Sequence, residues 1–556
     1  MPRPIVLVNP LDKAMPINLN VVYEHLGLGC LASVLRQKGF DVTIIDAHAR
    51  GLENNEVIET TKKENPRLLG LSATYRTLCE ALEIARAVKA SCDDVHITLG
   101  GEQATFAAED ILRSEPYVDS LVRGEGEATV VELAEAVYNK RPLKGIAGIF
   151  CREQGEICKN PDRPAIEDLD SLPFPSRDTL EYCLKEGKPT MIGVLASRGC
   201  YNSCTFCNSH YFLRMGGGSV WRARSPKNVA DELEVLDKKY DLESLHSMVH
   251  FYDVSFFDRS RKRKQWAKEV ASEIISRGLD FQFAVYCRAD CIDPANLEDL
   301  ELLRLLKRAG LSDVFIGLEA GSQAMLDVYK KNVTVKQNKQ VLKVFNENRI
   351  LTMTNGFIMF NPYTTMDDLR RNAEFLLETE QATYWNFAQK LQLFPGVAII
   401  EMLRKDGLLE PEYAHTSVYA YRFADSRMKK IASSLLELCD DDIMVKENSL
   451  VRYMSLQTLL VENKVLQNPR VRDDETLIRS MSEHKEQILT SKRQIQKNNY
   501  SFFMKCVDLA ESGWKDEIFK AYKPQFLKST DELLSSMSTA FAAFVRFINK
   551  SIDKKQ

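Results

Sequence analysis

Short apolar runs alternate with helix-period stretches over residues 1–400, and this rhythm limits what the chain can fold into more than any single motif does. "PIVLVNP" leads to "LGLGCLASVLRQKGF", then to "DVTIIDAH", "RLLGLSAT", the helical "LCEALEIARAVKAS" and "VHITLGG". "VDSLVRGEGEATVVELAEAV" adds a strand, a glycine turn and a helix. Strands that alternate with helices pair in parallel and are covered on both faces. Residues 1–145 are therefore expected to form a doubly wound, Rossmann-like α/β domain. Such sheets bind ligands outside the carboxyl ends of their strands, where Ser72, Thr74, Gly100, Gly101, Gly124 and Gly126 fall.

Residues 146–188, with "NPDRPAIEDLDSLPFPSRDTL", are rich in proline and aspartate and read as an ordered linker. A second β/α series follows over 189–400. Its candidate strands are "TMIGVLAS", "SMVHFYDVSFF", "FQFAVYCRAD", "DVFIGLEAG", "LTMTNGFIMF" and "NFAQKLQLF". Six βα units predict a partial (β/α)6 TIM-like barrel, short of the eight of a closed one. Strand signals fade after residue 400, so 401–556 read as a mostly helical domain ending in the charged "SIDKKQ".

A chain of 556 residues exceeds one ordinary core. Apolar residues at 44% and charged residues at 27% describe a globular protein. A net charge of −4 offers no general attraction to nucleic acid or acidic membranes. "MPRPIVLVNPLDKAMP" lacks the pattern of a signal peptide, and no apolar run reaches the ~18 residues of a membrane span. A cytoplasmic location is expected, with the 13 cysteines mostly reduced. Cys30 and Cys79, in apolar helical patterns, read as packing thiols.

Only "SRGCYNSCTFCNSH" has ligand spacing. Cys200, Cys204, Cys207 and His210 could be counted as four tetrahedral zinc ligands. Structural zinc sites, however, pin separated ligand pairs, whereas these four span eleven residues of a chain with a large core. Three thiolates on one loop can instead hold three corners of a [4Fe–4S] cube and leave one iron open. The loop also follows a candidate first barrel strand, where barrel enzymes keep their active sites.

Cys-x3-Cys-x2-Cys, with Phe206 before the third cysteine, resembles the radical S-adenosylmethionine (SAM) superfamily. The resemblance implies a [4Fe–4S] cluster on Cys200, Cys204 and Cys207. Its open iron would bind the amino and carboxylate groups of SAM, and its electron would release a 5′-deoxyadenosyl radical. Later segments resemble that family in order. "VHFYDVSFF" would bring Asp253 near the methionine amino group, and "VYCRAD" would bring Arg288 to carboxylate or ribose. "IGLEAGS" would offer Glu319 and Ser322 to SAM, and "GFIMFNPYTTMDDL" carries Asn361 in place of the usual glycine. Taken singly, each segment is an ordinary strand end, and Arg288 and Glu319 could simply pair with each other.

Two signatures compete for the N-terminal domain. "GLGCLA" fits a dinucleotide fingerprint, but 17 residues separate Asn9 from Gly27, so these glycines are expected inside the first helix for close packing. "DAHARG" fits the D-x-H-x-x-G pattern of cobalamin-binding methyltransferases, whose histidine comes from the loop after the first strand. His48 follows the second strand, and reads as a surface or loop histidine. The domain as a whole resembles the cobalamin-binding fold that precedes radical SAM barrels, through "LSAT", "LGGEQAT" and "VRGEGEAT". That implies Ser72, Thr74, Gly100, Gly101, Glu102, Gln103, Gly124, Glu125 and Gly126 around the nucleotide tail, with Tyr75 and Arg76 at the lower face of the corrin.

The expected activity is that of a cobalamin-dependent radical SAM methylase. It would act on an unactivated carbon or a phosphinate phosphorus of a small-molecule or peptide substrate, at two SAM per turnover. A flavodoxin or ferredoxin would serve as electron donor. A rearrangement, ring contraction or C–C bond formation, with cobalamin in another role or absent, is the alternative enzyme; an iron–sulfur or zinc binding module is the non-enzymatic one. Residues 401–556 are expected to cover the barrel mouth, with His415 and "HKEQILTSKRQIQK" on solvated helix faces.

Overall fold

The computed structural model describes residues 3–13, 22–92, 94–242, 248–354, 356–411, 413–467 and 474–553. It divides into two compact units. The first comprises Met1–Phe256, Gln265–Val285 and Gln392–Ala420; the second comprises Phe257–Lys264, Tyr286–Leu391 and Tyr421–Gln556.

In the first unit the strands are β1 (Ile5–Asn9), β2 (Val22–Tyr23), β3 (Val42–Asp46), β4 (Leu68–Ser72), β5 (His96–Gly100), β6 (Ser120–Val122), β7 (Ile149–Glu153) and β8 (Glu156–Lys159). One sheet runs β3-β1-β4-β5-β6-β7-β8. Its first five strands are parallel and the last two antiparallel. Side chains alternate across a strand, and β1 shows why both faces need cover. Val6 and Val8 belong to one buried cluster, with Leu69, Leu71, Ile97 and Leu99. Ile5 and Leu7 belong to another, with Ile44, Leu68 and residues of the helices Leu26–Gln37 and Glu127–Tyr138. This is the doubly wound domain expected from the alternation. The hairpin β7–β8, inside the stretch expected as linker, extends the same sheet.

"GLGCLA" lies within the helix Leu26–Gln37, as its distance from β1 requires. A Cβ on Gly29 would come within 2.5 Å of the Ser176 carbonyl. Ser176 N donates to the Gly29 carbonyl at 3.1 Å. The glycine is there for close packing of helix and linker.

The first unit also holds strands of a second parallel sheet: β9 (Thr190–Val194), β12 (Val249–Phe251) and the start of β13 (Phe283–Arg288). β12 pairs with β9 and β13, and β2 pairs with β9 through Val22–Thr190 and Tyr23–Met191. Val22 and Tyr23, which precede the helix Leu26–Gln37, thus add an edge to the second sheet. Between β9 and β12 lies a two-stranded antiparallel ribbon, β10 (Ser197–Arg198) and β11 (Arg222–Ala223).

The second unit contains β14 (Leu311–Gly317) and β15 (Leu351–Met353), paired in parallel. The expected strand "NFAQKLQLF" does not form: Tyr384–Ala388 is helical, and two isolated bridges remain, parallel between Phe360 and Lys390 and antiparallel between Leu393 and Tyr419. The Thr383 hydroxyl accepts from Asn386 N and caps that helix, which favours the turn over extension. The rest is helical, as expected, with Arg427–Leu436, Asp442–Gln467, Glu475–Glu511 and Asp516–Asp553. Val451, Met454, Met481, Ile488, Ile495, Met537 and Phe544 pack between the last three. The run "HKEQILTSKRQIQK" is therefore amphipathic: Ile488 and Ile495 are core, and Lys485 pairs with Glu462 at 2.6 Å. The end of "SIDKKQ" and the first residue of "SMVHFYDVSFF" lie outside the described residues. Among the described residues no helix is long and apolar enough to cross a membrane.

Candidate functional site

The cysteine loop starts where the β10–β11 ribbon crowds the backbone. A Cβ on Gly199 would sit 2.2 Å from the Val220 carbonyl, and its φ of +105° lies in the left-handed region, so glycine alone fits. Cys204 is buried, while Cys200 and Cys207 are half-buried. The Asn202 amide donates to Cys204 Sγ at 2.9 Å, and Cys207 N donates to the Cys204 carbonyl at 3.2 Å. Burial pushes the Cys207 thiol up; hydrogen bonds from Ser209 oppose this, and the nearby Cys204 and Cys200 sulfurs reinforce it. Cys207 therefore lies within electrostatic reach of both other thiols. Among the described residues no three His, Cys, Asp or Glu side chains converge on a single ion position. A cube held at three corners needs no such convergence. His210 packs on Tyr211 with ring centroids 3.7 Å apart and planes tilted by 42°, and hydrogen-bonds the Cys207 backbone. Phe206 is half-buried on the same loop.

Asp253, just beyond β12, is fully buried and accepts from Ala196 N at 3.2 Å. Burial raises its pKa to about 6 against the hydrogen bonds of Ser197 and Ala196.

A cavity of about 390 Å³ lies in the same unit. Its floor is where the strand order reverses, between β1 and β4, the place at which open α/β sheets take ligands. Leu7, Leu28, Leu31, Gly70 and Val130 make an apolar slot there. Ser72, Gly100, Gly101, Glu102, Gly124, Glu125 and Gly126, all expected around a nucleotide tail, line the same cavity. Gly101 has a φ of +102°, and a Cβ there would approach the Ala73 carbonyl at 2.9 Å. The far wall comes from the cysteine segment: Ser197, Arg198, Ser209, Phe212 and Leu213.

Four expected residues stand outside this lining. Thr74 bonds Thr77 at the start of its helix, and Tyr75 packs on Phe394 with ring centroids 4.9 Å apart. Arg76 pairs with Asp12 at 2.7 Å, and Gln103 donates to the His415 carbonyl at 2.6 Å. His415 is accordingly on no helix face; its ring lies 3.7 Å from Glu115. His48 sits in the four-residue helix Ala47–Arg50 after β3.

Charged groups tie the cavity to the cysteine loop. Arg198, two residues before Cys200, reaches Glu125 at 3.0 Å and Glu127 at 2.5 Å, all three nearly buried. Arg222 holds the other Glu125 oxygen at 2.9 Å. Burial works against the Glu125 carboxylate, but Arg222 and Arg198 outweigh it and leave its pKa below the usual value. Glu102 is shifted up by burial and bonds Asn208, next to Cys207. Sequence reading missed Arg198 and Glu127, although "SRGC" and "GEGE" place them beside residues it had chosen. It also missed His25, whose Nε2 lies 2.9 Å from Ser72 Oγ in the cavity wall.

In the second unit, Arg288 and Glu319 are not paired with each other. Arg288 bonds Asp290 Oδ1 at 3.1 Å and the Lys331 carbonyl at 2.6 Å, while Glu319 takes the Lys331 ammonium. Glu319 holds a φ of +63°, a strained value for a non-glycine residue. Ser322 Oγ donates to Asp368, and Ser322 N donates to Asn372.

Comparison with known proteins decides the family. Residues 13–134 match the B12 binding domain, and residues 194–376 match the radical SAM superfamily. The chain belongs to the cobalamin-binding radical SAM superfamily. This superfamily member is 29% identical over 372 residues to an uncharacterized methyltransferase of Pyrococcus horikoshii, covering 67% of this chain and 77% of that one. It is 31% identical over 368 residues to the anaerobic magnesium-protoporphyrin IX monomethyl ester cyclase of Rubrivivax gelatinosus, covering 64% and 61%. Its fold is that of the cobalamin-dependent SAM radical enzyme OxsB, with TM-score 0.69 and 19% identity over 100% of this chain and 81% of that one. The radical SAM methyltransferase TsrM from Kitasatospora setae shares the fold over 74% of this chain and 79% of its own, with TM-score 0.58 and 21% identity.

Proposed function

We propose that this superfamily member is a cobalamin-dependent methylase that transfers the methyl group of SAM to an unactivated carbon or a phosphinate phosphorus of a small molecule. One observation carries the reading: the cavity at the switch point of the first sheet is lined in part by the cysteine segment itself, through Arg198, Ser209, Phe212 and Leu213. Both cofactor groups fit the residues present. The apolar slot below glycine-rich strand ends suits the nucleotide tail of cobalamin, and three thiols on one loop, with Cys207 in electrostatic reach of the other two, suit a cluster. Bound there, cobalamin would carry the methyl group, and the cluster would supply the electron that cleaves SAM.

The chain's own contribution is arrangement. Arg198 and Glu125 hold the start of the cysteine loop against the cavity, with their charges neutralised within the wall. Asp253, poised near pH 6, offers a carboxylate to an ammonium such as the amino group of SAM. Relatives named as methylating enzymes support the reading, among them a hopanoid C-3 methylase of Methylococcus capsulatus at 25% identity. The cyclase at 31% identity supports a second reading, ring formation without methyl transfer.

Product stoichiometry separates the two. The SAM cleaved to deoxyadenosine leaves as methionine with its methyl still on sulfur, so a methylase needs a second SAM. Under reducing, oxygen-free conditions, S-adenosylhomocysteine and 5′-deoxyadenosine should accumulate in equal amounts. Methyl-deuterated SAM should put three deuteriums into the product. Deoxyadenosine without matching S-adenosylhomocysteine or label would select the ring-forming reading.

A further inference from the structure

His25 occupies a place that no motif marks. It follows the edge strand β2 and forms the N-cap of the helix Leu26–Gln37. Its Nδ1 accepts from Leu28 N at 3.1 Å, which satisfies one of the orphan donors of the helix start. A neutral imidazole that accepts at Nδ1 carries its proton at Nε2. That nitrogen faces Ser72 Oγ at 2.9 Å, so the ring donates to the hydroxyl. Burial lowers the His25 pKa against the pull of Asp46, which keeps the ring neutral.

Ser72 Oγ has no other hydrogen-bond partner among the described residues. With one lone pair occupied by His25, its own proton is left to point into the cavity that both residues line. A fixed donor thus stands in the wall of a cavity whose lining is otherwise largely apolar.

We infer that His25 is a positioning residue that turns the Ser72 hydroxyl into an oriented donor for an acceptor nitrogen on an aromatic base in the slot. The inference rests on the cobalamin reading, and deepens it: the base would be the benzimidazole of cobalamin, released from cobalt. The same hydrogen bonds bar His25 from serving as the lower ligand of cobalt. To ligate through Nε2 it would have to abandon Ser72 and move the ring proton to Nδ1, where it would clash with the Leu28 N–H.

The test compares cobalamin with cobinamide, which lacks the nucleotide tail, by spectroscopic titration of the full-length protein. His25→Ala should weaken cobalamin binding roughly tenfold, the worth of one well-placed hydrogen bond, and leave cobinamide binding unchanged. Ser72→Ala should do the same, and the double variant should be no weaker than either alone. His25→Gln, which keeps a donor amide, should recover part of the loss. Equal weakening of both ligands would make His25 a mere support of the fold and overturn the inference. So would a nitrogen triplet in the paramagnetic resonance spectrum of bound cob(II)alamin that vanishes in His25→Ala. A wild-type protein that binds neither ligand would instead sink the cobalamin reading beneath it.

Discussion

Asp253 shows how a single residue can be set against the stability of its own fold. Its carboxyl is fully buried beyond the end of β12, and burial outweighs its hydrogen bonds, so its pKa stands at about 6 against an ordinary 3.8. For an acid raised in the folded state, the favourable contribution is complete below the unfolded value and is lost as pH rises through the folded one. At pH 7.5 the ligand-free protein therefore carries a cost of about 2–3 kcal/mol at this position. Asp253→Asn should raise the melting temperature at pH 7.5, with the gain shrinking towards pH 4. The same variant should bind SAM more weakly. A gain of equal size at both pH values would mean that charge is not its source. The position of Asp253 was readable because the residues around it resemble a known family. His25 was not readable, because nothing local in "YEHLGL" tells that Tyr23 edges the second sheet. Arg288 and Glu319 were readable as polar strand-end residues, but their partners Asp290 and Lys331 were not. Those pairings depend on where Lys331 comes back after the helix Gln323–Val328.

The elements of the C-terminal domain were legible as helices, and their packing creates a titrating group that no pattern announces. Glu447, on the helix Asp442–Gln467, is buried against the helix Glu475–Glu511, where Asn499 Nδ2 donates to it at 3.1 Å and to the Ala382 carbonyl at 3.0 Å. Burial raises the Glu447 pKa to about 7, against the hydrogen bond of Asn499. Its contribution to stability is full below pH 4.5 and is lost as pH rises through 7. Between pH 5 and pH 8 the protein should lose about 2–3 kcal/mol from this group. Glu447→Gln, which keeps the acceptor for Asn499, should remove most of that slope in urea unfolding. A variant with the wild-type slope would assign it elsewhere. Strand existence was less legible than helix existence at the edges of the sheets. "NFAQKLQLF" alternates like a strand but is preceded by a threonine cap, and β2 is only two residues long. Such edges are decided by what lies beside them.

For the molecule as a whole, the expected domain order puts the cysteine loop and the first sheet in separate domains. The cavity is shared instead, since Arg198, Ser209, Phe212 and Leu213 line it together with Gly100–Glu102 and Gly124–Glu127. Replacing Cys200, Cys204 and Cys207 together by alanine should abolish the iron–sulfur absorbance. It should also weaken cobalamin binding by roughly three- to tenfold, the loss of about a kcal/mol of ordering in that wall. Unchanged affinity, measured by titration on the same samples, would show that the wall holds its shape without the cluster. By itself the sequence determined the parallel β/α order, the cysteine triad, the glycines at the strand ends and the helical character of the C-terminal domain. Each of these is written in local periodicity or in the spacing of neighbouring residues. The tertiary structure alone decided that the cysteine segment lines the cavity, that Tyr75, Arg76 and Gln103 stand outside that lining, and that His25 stands beside Ser72. Those facts join residues dozens to hundreds of positions apart, and packing between elements, not periodicity within them, selects the partner.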